Sequence, residues 1–226
     1  MIFNKKWLLF LLNLVKIINK TMNYINFKYK FNNNIILSKK EILLNFPRFD
    51  NKNLTYWQKK WYIWKIIKSY YYFLETKFNL EKLFYISNNI YFPSYISSYS
   101  ALSYYNLIPE QVSNIIAFST NSTKTYKTDI WIFKYHNIKN KLFWWYDIKK
   151  IDNKSFYIAD IEKTLLDFFY INKQYKTKND ILSLRLNFEI LKNKLDTKKL
   201  LKYLIIFDNK TLKNKIFILL NLIENA

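Results

Sequence analysis

NKNLTYWQKKWYIWKIIKSYYYFL, residues 51–74, changes its hydrophobic period half-way along. In the first half Leu54, Trp57 and Trp61 recur at i, i+3 and i+7. That is the apolar stripe of a helix, predicted over 51–62 with Asp50 or Asn51 as its cap. In the second half, 62–67 and 70–74 are runs of aromatic and β-branched residues separated by Lys68-Ser69. This pattern predicts two strands joined by a two-residue turn.

Working outward, Ser38-Lys-Lys-Glu41 has the spacing of a capping box, in which hydroxyl and carboxylate each satisfy a free N–H of a first helical turn. The helix it opens is predicted to run to about Phe46, where Pro47 stops it. Residues 23–34 are rich in Asn, Lys and Tyr and suggest no element, whereas 5–20 read as a helix. Helix, turn, helix, hairpin is the order of a winged helix-turn-helix, with 5–20 as a candidate first helix. In that arrangement the second helix enters the major groove and the hairpin touches the backbone.

Lys52, Thr55, Tyr56, Lys59 and Lys60 lie off the apolar stripe and are the candidate DNA contacts of that helix. Lysine reaches phosphate or guanine, and the hydroxyls offer further hydrogen bonds. Lys65 and Lys68 on the hairpin are candidate phosphate contacts. The same side chains also fit a plain solvated face, or edge-strand lysines that discourage sheet aggregation.

Composition narrows the classes. The 226 residues carry a net charge of +21, which favours a polyanion. Residues 1–80 hold 15 basic and 3 acidic side chains, a net +12, against +9 for the longer remainder. Codon bias towards Lys, Asn, Ile, Tyr and Phe would spread lysine evenly, so the asymmetry singles out the N-terminal third. There is no Gly, which excludes phosphate-binding glycine loops, and no Cys, which excludes disulfides and thiolate metal sites. His136 is the single histidine, too few for a His-based metal site. The 7 Trp, 20 Tyr and 19 Phe read as core together with codon bias rather than as a single-strand binding surface.

Lys5 and Lys6 precede the apolar run 7–12, as in a signal peptide. No small-residue cleavage site follows, and Asn13, Lys16, Asn19 and Lys20 interrupt the run. The run is also shorter than the ~20 residues that span a bilayer. The expectation is a cytoplasmic amphipathic helix and no membrane partner, with Met22 a second candidate start.

The remainder predicts helices over 79–87 and 96–106, strands over 114–119, 129–135, 142–146 and 155–158, and a strong helix over 160–172. Three Lys- and Leu-rich helices are predicted at 179–193, 196–207 and 209–224. No repeat and no Gly/Ser linker appears, and the boundary falls where the hairpin ends. Glu162, Lys163 and Asp167 look chemical at first sight, and Asp160-Ile-Glu162-Lys163 resembles a nuclease's acidic-x-Lys element. However, the residue two before Lys163 is Ile161, so the acidic-x-Lys spacing fails. Asp160 is better read as a helix cap and Glu162 as a first-turn carboxylate. Ser97, Ser98, Ser100 and Ser103 start and line a helix without the glycines of a nucleophile elbow.

Two segments carry a family resemblance, FPSYISSYSALSYYNLIPE at 92–110 and IADIEKTLLDFFYI at 158–171, with a β-rich stretch beginning NIIAFST between them. In this order, behind a compatible winged helix, they resemble the AbiEi family of antitoxin-type transcriptional regulators. The likeness covers about residues 36–172 and leaves the last 50 unmatched. It implies a repressor of its own promoter, within a type IV toxin–antitoxin operon of the phage-defence kind. It also implies a functional partner, a nucleotidyltransferase-type toxin, opposed without a stable complex. The family usually places Gly in the wing turn, where this chain has Lys68-Ser69, so a longer or distorted wing is expected. Asn106 stands where the family's helix often ends in Gly, and Asn is the next-best left-handed residue.

The chain is therefore expected to be α+β, with an N-terminal winged helix-turn-helix followed by a mixed α/β domain ending in helices. The domains are 1–78, the N-terminal helix and winged helix-turn-helix, and 79–226, an AbiEi-like domain. DNA-binding repression and antitoxin action are expected, with no catalysis, cofactor or metal. Two alternatives stay open. One is an interaction protein that acts through its C-terminal domain without binding DNA. The other is a nuclease or transferase.

Overall fold

The Asn23 carboxamide accepts the Ile25 N–H at 3.1 Å and so starts α1, Tyr24–Phe31, in a stretch whose composition suggests nothing regular. Phe27 and Phe31 stand at i, i+4 and are buried, which fixes one face of this short helix inward. The computed structural model describes residues 23–225, so the helix expected at 5–20 lies outside the described residues. The chain divides into two compact units between Lys77 and Phe78. Each contains helices and strands, and the fold is α+β.

In the first unit, β1 (Leu37–Ser38) leads directly into α2 (Lys39–Asn45). The Ser38 hydroxyl accepts the Glu41 N–H at 3.1 Å, as its spacing predicts. The Glu41 carboxylate turns instead to Asn34 Nδ2, at 2.9 Å. Asp50 Oδ1 accepts the Lys52 N–H at 2.9 Å and α3 follows, Lys52–Lys59.

The helix stops three residues short of its predicted end, and the reason is local. Trp61 takes the left-handed conformation, φ 60°. Its N–H donates to Gln58 O, and the Tyr62 N–H donates to Trp57 O, both at 3.0 Å. This pair of bonds closes a helix C-terminus, with Trp61 in the position glycine usually fills. Leu54 and Trp57 are buried as expected, but Trp61 is 64% exposed and does not belong to the apolar stripe.

β2 (Ile63–Ile67) and β3 (Tyr70–Phe73) form the predicted antiparallel hairpin. Its turn has two residues, and Ser69 adopts φ 71° without glycine's help. The hairpin turn is not lengthened. The irregularity lies within the strand, as a register shift between Lys65 and Ile67. β1 completes the sheet in the order β1-β3-β2. Phe27, Phe31, Leu37, Ile42, Phe49, Leu54, Trp57, Ile63 and Phe73 make one core, with the Phe27 and Trp57 rings 4.6 Å apart.

The second unit is built on a six-stranded mixed sheet in the order β6-β7-β5-β4-β9-β8. Its strands are β4 (Ser94–Ile96), β5 (Asn114–Ser119), β6 (Lys124–Lys127), β7 (Ile132–Asn137), β8 (Tyr146–Ile151) and β9 (Lys154–Ala159). β4 sits at the centre, antiparallel to β5 and parallel to β9 through Ile96 and Ile158. Because 94–96 is a strand, the next helix, α5 (Ser98–Tyr104), starts later than predicted, after α4 (Leu80–Ile90). The strand expected at 142–146 is instead a 3-10 turn, Asn140–Leu142, with β8 starting only at Tyr146. Strand β6 was not anticipated. It pairs Tyr126 with Phe133, but three of its four residues are Lys or Thr, which hides any alternation.

Asn106 adopts φ 56°, the conformation expected of a glycine substitute. α6 (Ile161–Ile171) matches the strong helix. The helix expected at 179–193 breaks into α7 (Lys178–Leu182) and α8 (Phe188–Lys194), with Arg185 left-handed between them. α9 (Thr197–Phe207) and α10 (Lys210–Glu224) follow as read. They bury Leu200, Leu204, Phe207, Leu212, Ile216 and Leu219 in one core with Leu165, Leu166, Phe168 and Phe169 of α6.

Candidate nucleic-acid interface

Burying Leu54 and Trp57 on one side of α3 forces positions 52, 55, 56 and 59 to the other. Lys52, Thr55, Tyr56 and Lys59 are all exposed there, and Lys60 follows at the helix end. Lys60 Nζ lies 5.8 Å from the centre of the Tyr56 ring, so ammonium and phenol share one edge of the face. The helix itself contains no acidic residue.

Residues 23–77 carry 11 basic and 3 acidic side chains, and each acid is already engaged. Glu41 binds Asn34, Asp50 binds the start of α3, and Glu75 pairs with Lys28 at 2.6 Å. Among the described residues no carboxylate of this unit forms an ion pair with Lys52, Lys59 or Lys60.

Lys65 and Lys68 are both exposed on the hairpin. The turn that carries Lys68 is tied back, because Ser69 O accepts the Lys39 N–H at 2.8 Å. It therefore stands against the first turn of α2, which holds Lys39 and Lys40. Those two lysines sit in a capping sequence and were not read as surface charges. The stacked pair Trp61 and Trp64 was also missed, with rings 4.9 Å apart and 24° between planes. The heptad-like spacing of Trp61 hid it, and the basic pair Lys59-Lys60 just before it was the available signal.

The residues that look chemical lie in the second unit and are enclosed. Lys163 Nζ contacts Asp167 Oδ1 one helical turn along α6, and both side chains are fully buried. Lys163 Nζ also donates to the Tyr95 hydroxyl at 2.7 Å. Tyr95 and Ser97 donate to Asp167 Oδ2 at 2.9 and 2.8 Å. Burial pushes the Asp167 carboxyl up and the Lys163 ammonium down, and their mutual contact opposes both shifts. An acid–base pair with no exposed atom has no route to a substrate, and its chemistry is that of a polar core.

Asp160 caps α6 by accepting the Lys163 N–H at 2.7 Å, as predicted. Lys199 reaches Asp160 at 3.0 Å and Glu162 at 3.1 Å, which ties α9 to the start of α6. His136 sits on β7 with its ring 5.7 Å from Phe118. Burial, then the Lys134 charge, holds its pKa below the ordinary histidine value.

Searches of the chain against family models and against curated proteins find no match.

Among the described residues no three His, Asp or Glu side chains gather into a group that could hold a metal ion. Among them, too, no helix is long and apolar enough to cross a membrane. The two segments that carry the resemblance, 92–110 and 158–171, meet through β4 and β9 and through Tyr95, Ser97 and Asp167.

Proposed function

We propose that this chain is a DNA-binding transcriptional regulator. Residues 23–77 act as a winged helix-turn-helix, α3 is its recognition helix, and β2–β3 is a short wing. The observation that carries the reading is the solvent face of α3. Lys52, Thr55, Tyr56 and Lys59 are exposed together on a helix without an acid, in a unit whose residues 23–77 carry 11 basic and 3 acidic side chains. The order α1, β1, α2, α3, β2, β3 supports it, since a helix pair followed by a hairpin is how such modules present one helix to the major groove. Lys65 and Lys68 grip phosphate from the hairpin.

The second unit gives the chain its antitoxin role, in the manner of the AbiEi family. The support is that two separated sequence motifs pack as one element, with Tyr95 and Ser97 bonded to Asp167. On this reading the chain works in the cytoplasm. It represses its own promoter and opposes a nucleotidyltransferase-type toxin without a stable complex or catalysis of its own.

Footprinting of the DNA upstream of the gene tests the first part. A discrete protected segment is expected, with log affinity falling linearly with log salt. Absence of protection at low salt, with folded protein, ends the reading.

A further inference from the structure

Trp61 is a large apolar side chain that the helix end turns outward instead of inward, more exposed than its neighbour Tyr62. It occupies a left-handed position that costs a non-glycine residue roughly 1–2 kcal/mol, yet most of the residue lies in solvent. Neither core packing nor backbone preference explains an indole at this place. One face of the ring is stacked on Trp64, and the residue as a whole is 64% exposed. The backbone bonds at Trp61 and Tyr62 hold the residue in place. Lys59 and Lys60 precede it and Lys65 follows one residue after its stacking partner.

We propose that Trp61, backed by Trp64, is a base-stacking platform at the end of α3, so that the nucleic acid bound there includes at least one unpaired or unstacked base. The proposal rests on the reading of α3 as the nucleic-acid face and adds the kind of site that face prefers. In a paired duplex both faces of a base are covered by its neighbours. An open indole face therefore gains a partner only where a base has left the stack, at a bulge, a kinked step or a single-stranded segment. The charge around the ring favours this occupant over a protein, because lysine is depleted from protein–protein interfaces and enriched where phosphate must be met. A ring fixed on a second ring loses little freedom when a base settles on it, which suits stacking without sequence preference.

The test measures binding of the full chain, by fluorescence anisotropy, to two labelled duplexes of one sequence. One is fully paired, and the other carries a single unpaired purine. The wild type is expected to prefer the bulged duplex by about tenfold, the usual size of one stacked base. Trp61→Ala removes the preference and leaves the affinity for the paired duplex and the salt slope unchanged, while Trp61→Phe restores most of it. Trp61→Asn keeps a residue that tolerates the left-handed backbone, so its loss of preference cannot be blamed on unfolding. Lys59→Ala with Lys60→Ala weakens both duplexes alike and flattens the salt slope. Equal binding of both duplexes by the wild type, or a preference that survives Trp61→Asn, overturns the platform while leaving DNA binding standing. No binding to either duplex at low salt overturns the reading of α3 itself. A wild-type dimer abolished by Trp61→Asn, with no preference between duplexes, gives the ring to a second copy of the chain and likewise overturns the proposal.

Discussion

Tyr95 and Asp167 are 72 residues apart in sequence and share a hydrogen bond of 2.9 Å with no exposed atom on either side chain. The Tyr95 hydroxyl donates to the carboxylate while accepting from Lys163, so one oxygen links both halves of a buried ion pair. Ser97 supplies a second donor to the same carboxylate oxygen. A charge pair removed from water persists when its remaining hydrogen-bonding positions are filled, and here Tyr95 of β4 and Ser97 just after it fill them.

Removing one member should therefore cost much more than removing both. Asp167→Ala leaves a buried ammonium unpaired and is expected to lose about 3–5 kcal/mol in urea melts. Tyr95→Phe, which removes only the bridging oxygen, should lose about 1–3 kcal/mol. The double change Lys163→Met with Asp167→Leu should recover part of the single-mutant loss, because two apolar side chains need no partners while the buried Tyr95 and Ser97 hydroxyls lose theirs. Additive losses in the double variant would mean that the pair is not coupled.

Trp57 and Trp61 lie one helical turn apart and should behave as opposites. Trp57→Ala empties part of the first core and is expected to cost about 3–5 kcal/mol. Trp61→Gly should stabilise by about 0.5–1 kcal/mol, because glycine accepts the left-handed conformation freely. Chemical denaturation monitored by far-ultraviolet circular dichroism separates them. Equal losses would place Trp61 in the core after all.

His136 makes stability depend on pH in a defined direction. Burial and Lys134 depress its folded pKa, so the unfolded chain binds the proton more readily. Its contribution is complete above the unfolded value of about 6.5 and is lost as pH falls towards the depressed folded value. Since it is the only histidine, His136→Gln should flatten the stability profile between about pH 7 and pH 5. A variant that keeps the wild-type slope would assign the effect to carboxylates instead.

If the two units divide the work as proposed, the face of α3 matters for repression alone. Lys52→Ala, Lys59→Ala and Lys60→Ala together in the full chain should release a promoter reporter while the cells still survive the partner toxin. The three side chains are exposed, so their loss should change stability by no more than about 0.5 kcal/mol each. Loss of toxin protection in the folded triple variant would tie the two activities to one surface.

What could be read from sequence was whatever declared itself locally. The hairpin, the Ser38 cap and α6 with its Asp160 cap each follow from spacings within a few residues. Helix α1 escaped because its two anchors, Phe27 and Phe31, are diluted by polar neighbours and only the packed core reveals them. Trp61 was misplaced because periodicity assumes that the helix continues, and in a chain without glycine nothing marked its end. Within the site, the exposed lysines of α3 follow from the stripe. The Trp61–Trp64 stack and the Ser69–Lys39 tether depend on a turn and a strand pairing that spacing cannot supply. Lys163 and Asp167 were visible as i, i+4 neighbours, but their partners, Tyr95 on β4 and Ser97 just after it, lie about 70 residues upstream.

The central position of β4 also sets an order of events as the chain leaves the ribosome. Strands β4 to β7 emerge together and can pair among themselves, because β5 is the sequence neighbour of β4 and β7 of β6. The other side of β4 stays open until residues 146–159 have been made, since its partner there is β9. During that interval Tyr95 and Ser97 also lack Lys163 and Asp167. The nascent chain therefore presents an unpaired strand edge and two unanswered hydroxyls for the time needed to synthesise some 60–70 residues, several seconds at about 5–20 residues per second. Docking of the β8–β9 hairpin and α6 closes the edge and answers both hydroxyls, so the vulnerable stage of this protein's life ends only once about residue 167 has been made.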